Sequence, residues 1–367
     1  MNILHLESSP GWGGQEMRIL KESEGLRERG HKIIFGCPKD SGLAKFARDR
    51  GFSIYEIDYQ KRKSLSILKN LFQILKGEKI SIIHTHSSLD SWLGGIAARL
   101  KSIPVIRTRH LSTPVRGGLN SYLVYNLLTD FIITTCSSII PDLSKKSGKS
   151  CLYFRSIPTG VNPEKLLFSE GKRADFRKEL QVANTDILVG TVCFMRSWKG
   201  VDDFLQAACI LRDESQIKWV IIGGGHQEIY KKKAKELNAP VYFAGHLQDP
   251  AFAIAALDIF ALLSTAHEGV SQSALQAAYL QKPLITTPVG GLAEICLDNE
   301  TGIIVPPFSP NEVAKAVVKL KKEPSFRDIL GKNGAKWVQE KFTEKNMLDE
   351  IEEILSKISK PKNYSIN

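Results

Sequence analysis

The chain has 367 residues, 43% of them hydrophobic and 24% charged, with a formal charge of +11. This length suits two domains better than one core, and the composition is that of a globular protein, not a disordered or fibrous one. No apolar run reaches the ~18 residues of a membrane span, and the first residues enter a strand with no signal-peptide pattern, so a cytoplasmic location is expected.

The first candidate strand is Ile3–Leu6. The turn Gly11-Trp12-Gly13-Gly14-Gln15-Glu16 follows it and opens a helical stretch over Gln15–Arg29. Strands are read at Lys32–Cys37 and Ser53–Ile57, a helix at Leu65–Lys76, then strands at Ile80–His84, Val105–Thr108 and Phe131–Thr135. Short β-rich runs separated by helical patterns predict a parallel, doubly wound sheet. The stretch Pro158–Glu170 is rich in turn formers, lacks periodicity, and reads as a linker. Beyond it the scheme repeats. Strands are read at Ile187–Val192, Trp219–Ile222, Val241–Ala244, Asp258–Leu263, Leu284–Thr287 and Gly302–Val305, with helices at Asp202–Arg212, Gln227–Leu237 and Ser273–Leu280. Helices at Asn311–Lys322, Ser325–Lys341 and Lys345–Ser359 follow, and the tail KPKNYSIN reads as frayed. The expected division is 1–165, 166–344, and a terminal segment 345–367.

Charge is unevenly placed. Residues 1–165 carry 25 Lys and Arg against 14 Asp and Glu, whereas the remainder carries 25 of each. Solubility is the plain explanation of a basic first half. An anionic partner is the sharper one, since basic groups near an acidic membrane gain about 1 kcal/mol each. The densest groups are Lys61-Arg62-Lys63 and Arg107, Arg109 and Arg116. Nucleic acid is disfavoured, because no aromatic–basic interleaving or recognisable module is present. The six cysteines are scattered without a Cys-x-x-Cys pair, which argues against a disulfide framework or a zinc site.

The segment Leu263–Pro307 is the most informative. A buried strand runs into a polar turn holding Glu268 and Gly269, and a helix follows. A second strand runs into Gly290-Gly291 and a short helix carrying Glu294. Two strand ends thus deliver an acid, a glycine and a helix N-terminus to one sheet edge. Ligands of open α/β sheets bind there, and bare helix N–H groups attract phosphate. Lys199, in RSWKG after a strand, is a cation at the same kind of edge, with Arg196 three residues before it. At an effective dielectric of 20, one cation about 4 Å from a phosphate charge is worth roughly 4 kcal/mol before desolvation. His110 ends a strand, where an imidazole can hydrogen-bond a hydroxyl. His84 and His86 end another, one expected to line a cleft and the other to pack inside; no further zinc ligands can be placed beside them. A dinucleotide site of the dehydrogenase type is disfavoured: the Gly13-Gly14 turn lacks the third glycine, and the second strand ends at Cys37-Pro38-Lys39 without an acid.

Together these motifs resemble a GT-B glycosyltransferase, in particular the large retaining family 4. The likeness covers nearly the whole chain and is strongest from Gly190 to Pro307. It implies two Rossmann-like domains facing across a cleft, with the last helix, Lys345–Ser359, crossing back to the first domain. It implies a nucleotide-diphosphate sugar as donor and a lipid-linked or saccharide acceptor, as in lipopolysaccharide or other envelope synthesis. Arg196 and Lys199 would hold the departing diphosphate, and Glu268 and His110 the transferred sugar. The backbone of Gly269, Val270 and Ser271, with the Gly13-Gly14 and Gly223-Gly224 turns, would complete the donor site. The family's arginine usually stands five residues before the lysine, where this chain has Phe194; a minority pattern matches Arg196. The family's second acid, a ribose ligand, is Gln276 here. An amide can still pair with a hydroxyl but forgoes the charge-assisted bond, which predicts weaker or retuned ribose binding. No Asp-x-Asp triplet occurs, so no essential metal is expected. The rival expectations are an acceptor-free GT-B epimerase and a catalytically silent nucleotide-sugar-binding subunit.

Overall fold

The computed structural model of the chain describes residues 1–110 and 112–359, the Lys165 side chain excepted. Residues 360–367, read above as a frayed tail, lie outside the described residues. The chain forms two compact units. One is Met1–Pro158 together with the segment from Lys345 onward; the other is Thr159–Glu344. The boundary therefore falls at 158/159, ahead of the expected 165/166. Backbone pairing explains the difference. The Val161 amide donates to the Phe342 carbonyl (2.7 Å) and the Glu344 amide to the Val161 carbonyl (3.0 Å), while the Gln272 side chain donates to the Thr159 carbonyl (2.6 Å). Residues just past Pro158 are thus already tied into the second unit.

The first unit holds β1 (Asn2–Leu6), β2 (Lys32–Cys37), β3 (Ser53–Glu56), β4 (Ile82–Thr85), β5 (Val105–Arg109), β6 (Phe131–Thr134) and β7 (Phe154–Ser156). All pair in parallel, in the order β3-β2-β1-β4-β5-β6-β7. The three-residue β7 was not anticipated, because a run that short shows no periodicity. Side chains alternate across the sheet. Ile3, Ile33, Phe35, Ile82 and Ile106 face one core, which the helices Gly14–Glu28 and Gly42–Asp49 cover through Ile19, Leu26, Leu43 and Ala47. Leu4, Leu6, Ile34, Ile83 and Val105 face the opposite core, under Ile67, Leu71 and Leu75 of Ser64–Gly77 and Leu93 and Ala97 of Ser88–Leu100. The first of these cores also takes in Met347, Leu348, Ile351, Ile354 and Leu355 from the last helix, Glu344–Ser359. Gly25 makes room for it: a Cβ there would lie 2.3 Å from Leu348 Cδ1.

The second unit holds β8 (Ile187–Val192), β9 (Ile217–Ile222), β10 (Val241–Gly245), β11 (Ile259–Leu262), β12 (Leu284–Thr286) and β13 (Gly302–Ile304), again parallel, in the order β10-β9-β8-β11-β12-β13. The near-continuous apolar runs of β8, β9 and β11 are those of strands buried on both faces. In each unit the strand order reverses beside the first strand, between β1 and β4 and between β8 and β11. These are the topological switch points, and ligands bind at the carboxyl ends of the strands there. Among the described residues no helix is long and apolar enough to cross a membrane.

Candidate active site

In the second unit, β8 and β11 end side by side. The loop after β8 carries Lys199, and the loop after β11 carries Glu268. Lys199 Nζ lies 2.9 Å and 2.7 Å from the two Glu268 carboxylate oxygens, and Ser264 Oγ donates to one of those oxygens at 2.6 Å. The pair is largely buried, with 19% of the lysine side chain and 8% of the glutamate side chain exposed. Backbone holds the loops in register: the Thr265 amide donates to the Trp198 carbonyl at 2.8 Å. Gly200 has φ +67°, and a Cβ there would come within 1.9 Å of the Leu263 carbonyl oxygen, so only glycine fits. The Gly290-Gly291 turn after β12 closes onto the same acid. Gly290 is left-handed (φ +59°), a Cβ on it would come within 1.8 Å of the Glu268 carbonyl oxygen, and the Gly291 amide donates to that carbonyl at 3.1 Å.

Past Glu268 the chain turns into the helix Gln272–Tyr279. The amides of Gly269, Val270 and Ser271 donate to no group among the described residues. The loop thus offers successive free N–H donors beside a paired lysine and acid. Gln276 lies half-buried on that helix. Arg196 goes elsewhere. Its guanidinium sits over the rings of Phe194 (5.1 Å) and Trp198 (5.2 Å) and lines a cavity of about 520 Å³ with Asp202, His226, Tyr230 and Lys233. No ion pair joins it to Glu268 among the described residues. Of the glycines after β9, Gly223 is demanded by packing, since its Cβ would lie 1.9 Å from the Cys193 carbonyl oxygen at φ +138°. A Cβ on Gly224 would meet nothing closer than 3.8 Å.

The first unit gathers a second group of polar residues around β1, β4 and β5. Gly13 precedes the helix Gly14–Glu28, its amide donating to Glu16 Oε2 at 2.8 Å. A Cβ on Gly14 would meet nothing within 4 Å, so protein packing does not require glycine there. His110 follows β5 and is half-buried. His84 and His86 do not separate as expected. Residues two apart along an extended chain share a face, and both rings are buried with centroids 4.4 Å apart.

His5, Glu7 and Glu22 were missed. His5 is the register partner of His84 in parallel β1 and β4, a neighbour that only strand pairing reveals. It supplies the third histidine that the sequence could not place, and ligand-capable nitrogens of His5, His84 and His86 lie within 4.8 Å of one another. Hydrogen bonds already engage most of them. His5 Nδ1 meets His86 Nε2 (3.0 Å), His86 Nδ1 meets His110 Nε2 (3.1 Å), His84 Nε2 meets Thr108 Oγ1 (2.7 Å), and His84 Nδ1 faces Glu22 Oε1 (3.2 Å). Glu22 is held down at about 2 despite its burial, because His84 and then Arg18 favour its charge.

Glu7 directly follows β1 and is fully buried. It accepts from the Ser9 amide (2.7 Å), from Ser87 Oγ and from Gln15 Nε2, which braces the Gly13-Gly14 turn. Burial first, and the Asp90 carboxylate second, push its pKa up to about 7 from 4.5. A carboxyl raised in this way holds its proton more tightly when folded. Its stabilising contribution is full below 4.5 and disappears as the pH climbs through about 7. Glu7→Gln carries no charge at any pH. Its melting temperature relative to the parent protein is therefore expected to rise between pH 5 and pH 8. A difference that is the same at both pH values would remove Glu7 as the cause.

Two doubly wound parallel-sheet units, one with a lysine–glutamate pair at its switch point, describe an enzyme of the two-domain GT-B type. Residues 12–165 match the family described as Glycosyltransferase Family 4, and residues 172–337 match that described as Glycosyl transferases group 1. The protein belongs to the group 1 glycosyltransferases of GT-B fold. It is 26% identical over 305 residues to the capsular polysaccharide biosynthesis glycosyltransferase CapM of Staphylococcus aureus, covering 78% of this chain and 79% of that one. It is 25% identical over 379 residues to the UDP-Gal:alpha-D-GlcNAc-diphosphoundecaprenol alpha-1,3-galactosyltransferase of Escherichia coli, covering 96% of each. Among solved structures, Anabaena Alr3699/HepE in complex with UDP-glucose superposes with a TM-score of 0.83 at 20% identity, over 97% of this chain and all of that one.

Proposed function

We propose that this glycosyltransferase is retaining and metal-independent, and that it moves a sugar from a nucleotide-diphosphate donor to a lipid-linked or saccharide acceptor of envelope synthesis. The observation that carries the reading is the buried Lys199–Glu268 pair beside three unpartnered amides at the β8/β11 switch point. A departing diphosphate needs its charge neutralised where water is excluded. Lys199 supplies the positive charge, and the free amides of Gly269, Val270 and Ser271 supply fixed donors. Glu268, released from the lysine as the diphosphate arrives, accepts from sugar hydroxyls. Within the loop after β8, Lys199 lies nearer this chemistry than Arg196, whose guanidinium turns to Phe194 and Trp198.

His110 hydrogen-bonds the transferred sugar in this reading, and Gln276 takes the ribose. Attack comes from the same face that the diphosphate leaves. The Escherichia coli relative names a UDP-sugar donor and a diphosphoundecaprenol-linked acceptor, which supports the donor and acceptor classes. The basic first half suits peripheral contact with an anionic membrane; equal binding to neutral and anionic vesicles would dismiss that part.

The test is thermal stabilisation by UDP, GDP, ADP and their sugars, with and without a chelator. A shift with one nucleotide that survives chelation is expected, and the anomeric configuration of the product then reports retention. No shift with any of them would favour a silent subunit in which Gln276 has cost the donor site.

A further inference from the structure

Three histidines from three neighbouring strands stand in a line in the first unit. His5 lies in β1, His86 just past β4 and His110 just past β5. The rings of His5 and His86 are parallel to within 6°, and those of His86 and His110 are inclined at 37°, each pair with centroids 5.3 Å apart. His5 Nδ1 meets His86 Nε2 at 3.0 Å, and His86 Nδ1 meets His110 Nε2 at 3.1 Å. His5 is fully buried and His86 nearly so, whereas His110 is half-buried. The line therefore runs from the core to the surface.

Burial favours the neutral form of all three rings. Burial first, and His84 second, drive His5 down to about 3, and burial also holds His86 and His110 well below the ordinary imidazole value. A neutral imidazole has one N–H and one bare nitrogen. Each ring–ring contact then needs one donor and one acceptor, so the whole line has only two polarities. In one, every proton points toward the core: His110 donates to His86, His86 donates to His5, and His5 is left with an N–H on Nε2. In the other, His5 donates from Nδ1 to His86, and His86 donates from Nδ1 to His110.

His5 Nε2 decides between them. It is buried and has no hydrogen-bond partner among the described residues. The inward polarity would strand an N–H there, and orphaned buried N–H groups are rarer than under-satisfied acceptors. The outward polarity leaves only a bare ring nitrogen at that place. It also puts the His110 proton on Nδ1, which has no partner among the described residues, on the one histidine of the three that is only half-buried.

We propose that His86 is a positioning residue that holds His110 in the tautomer with its proton on Nδ1, so that His110 presents an N–H donor to its substrate. The imidazole line fixes the direction of that hydrogen bond before any ligand arrives. The substrate group it fits is an oxygen acceptor, such as a sugar hydroxyl. The inference rests on the proposed role of His110 in sugar transfer, but the tautomer itself does not.

The experiment uses the full-length protein with 15N-labelled histidine. Long-range 1H–15N correlation reads which nitrogen of His110 carries the proton. In the parent protein this should be Nδ1. In His86→Leu the support is gone, and the proton should move to Nε2. In His86→Asn the side-chain amide takes the place of the ring's Nδ1–H and should keep the His110 proton on Nδ1. With a donor and acceptor in hand, kcat for His86→Leu should fall roughly 10-fold to 100-fold, by analogy with the loss when the partner that orients a metal-bound histidine is removed. The donor KM should stay within about twofold, and His86→Asn should recover most of kcat. A parent protein with the His110 proton on Nε2, or a folded His86→Leu with full kcat, overturns the proposal. Should His86→Leu not fold, the parent spectrum and His86→Asn still decide it. Absence of transfer by the parent with any donor would overturn the activity reading and leave the tautomer measurement standing.

Discussion

Lys199→Met should lower kcat for sugar transfer roughly 100-fold to 1,000-fold, the loss that follows removal of one preorganised donor to a developing charge. The lysine is the one cation in contact with Glu268 among the described residues, at 2.9 Å and 2.7 Å. Methionine keeps much of its length and apolar stem, so the loss would report the charge and not the packing. The change also leaves the Glu268 carboxylate with Ser264 Oγ but no cation. Because Glu268 itself holds the sugar in this reading, the stranded acid is tested on stability and not on turnover: if the unpaired carboxylate is what Lys199→Met damages, the double variant Lys199→Met/Glu268→Gln should melt above Lys199→Met. An equal melting temperature leaves the lost charge toward the diphosphate as the cause of the lower kcat. A Lys199→Met protein with normal kcat and a raised donor KM would restrict the lysine to binding.

The second large effect is on stability. Ile351 is fully buried in the core that the last helix shares with Ile3, Phe35, Ile82 and Ile106. Ile351→Ala should cost about 2–5 kcal/mol, the range for deleting a buried aliphatic side chain and leaving a cavity. For a unit of this size the melting temperature should fall by roughly 5–15 °C. Calorimetry should show the loss in the transition of the first unit, with the transition of the second unit unmoved. Stabilisation of the second unit by its nucleotide should be unchanged. A loss confined to the second unit would contradict the placement of this helix.

The alternation of apolar runs and helical stretches was enough to read two parallel sheets, because the central runs, such as β4, β8 and β11, are buried on both faces and stand out from their flanks. The loop residues Lys199 and Glu268 were legible for the same reason: each follows a clear strand, and strand ends are where ligands collect. Their contact was not legible, since it depends on β8 lying beside β11. His5 was invisible on similar grounds. Nothing in NILHL marks its fourth strand position as a neighbour of a histidine some eighty residues away. Arg196 shows another limit. Its spacing to Lys199 suggested joint action, but Phe194 and Trp198 on the same loop offer its guanidinium two ring faces. The domain boundary was displaced because the hydrogen bonds of Thr159 and Val161 run to residues far along the chain, which no local turn signal records.

The return of the last helix has a consequence for how the protein is made. Residues 1–158 are synthesised ahead of the second unit, yet the first unit lacks Met347, Leu348, Ile351, Ile354 and Leu355 until the helix Glu344–Ser359 has left the ribosome. The second unit is one unbroken stretch, Thr159–Glu344, and is complete before then. Domains usually finish in the order of their synthesis. Here the unit begun first is closed last, and its nascent sheet must wait, with part of one face bare, while the other unit is built. Chaperone capture of stalled chains should therefore be strongest for those that end between the two units.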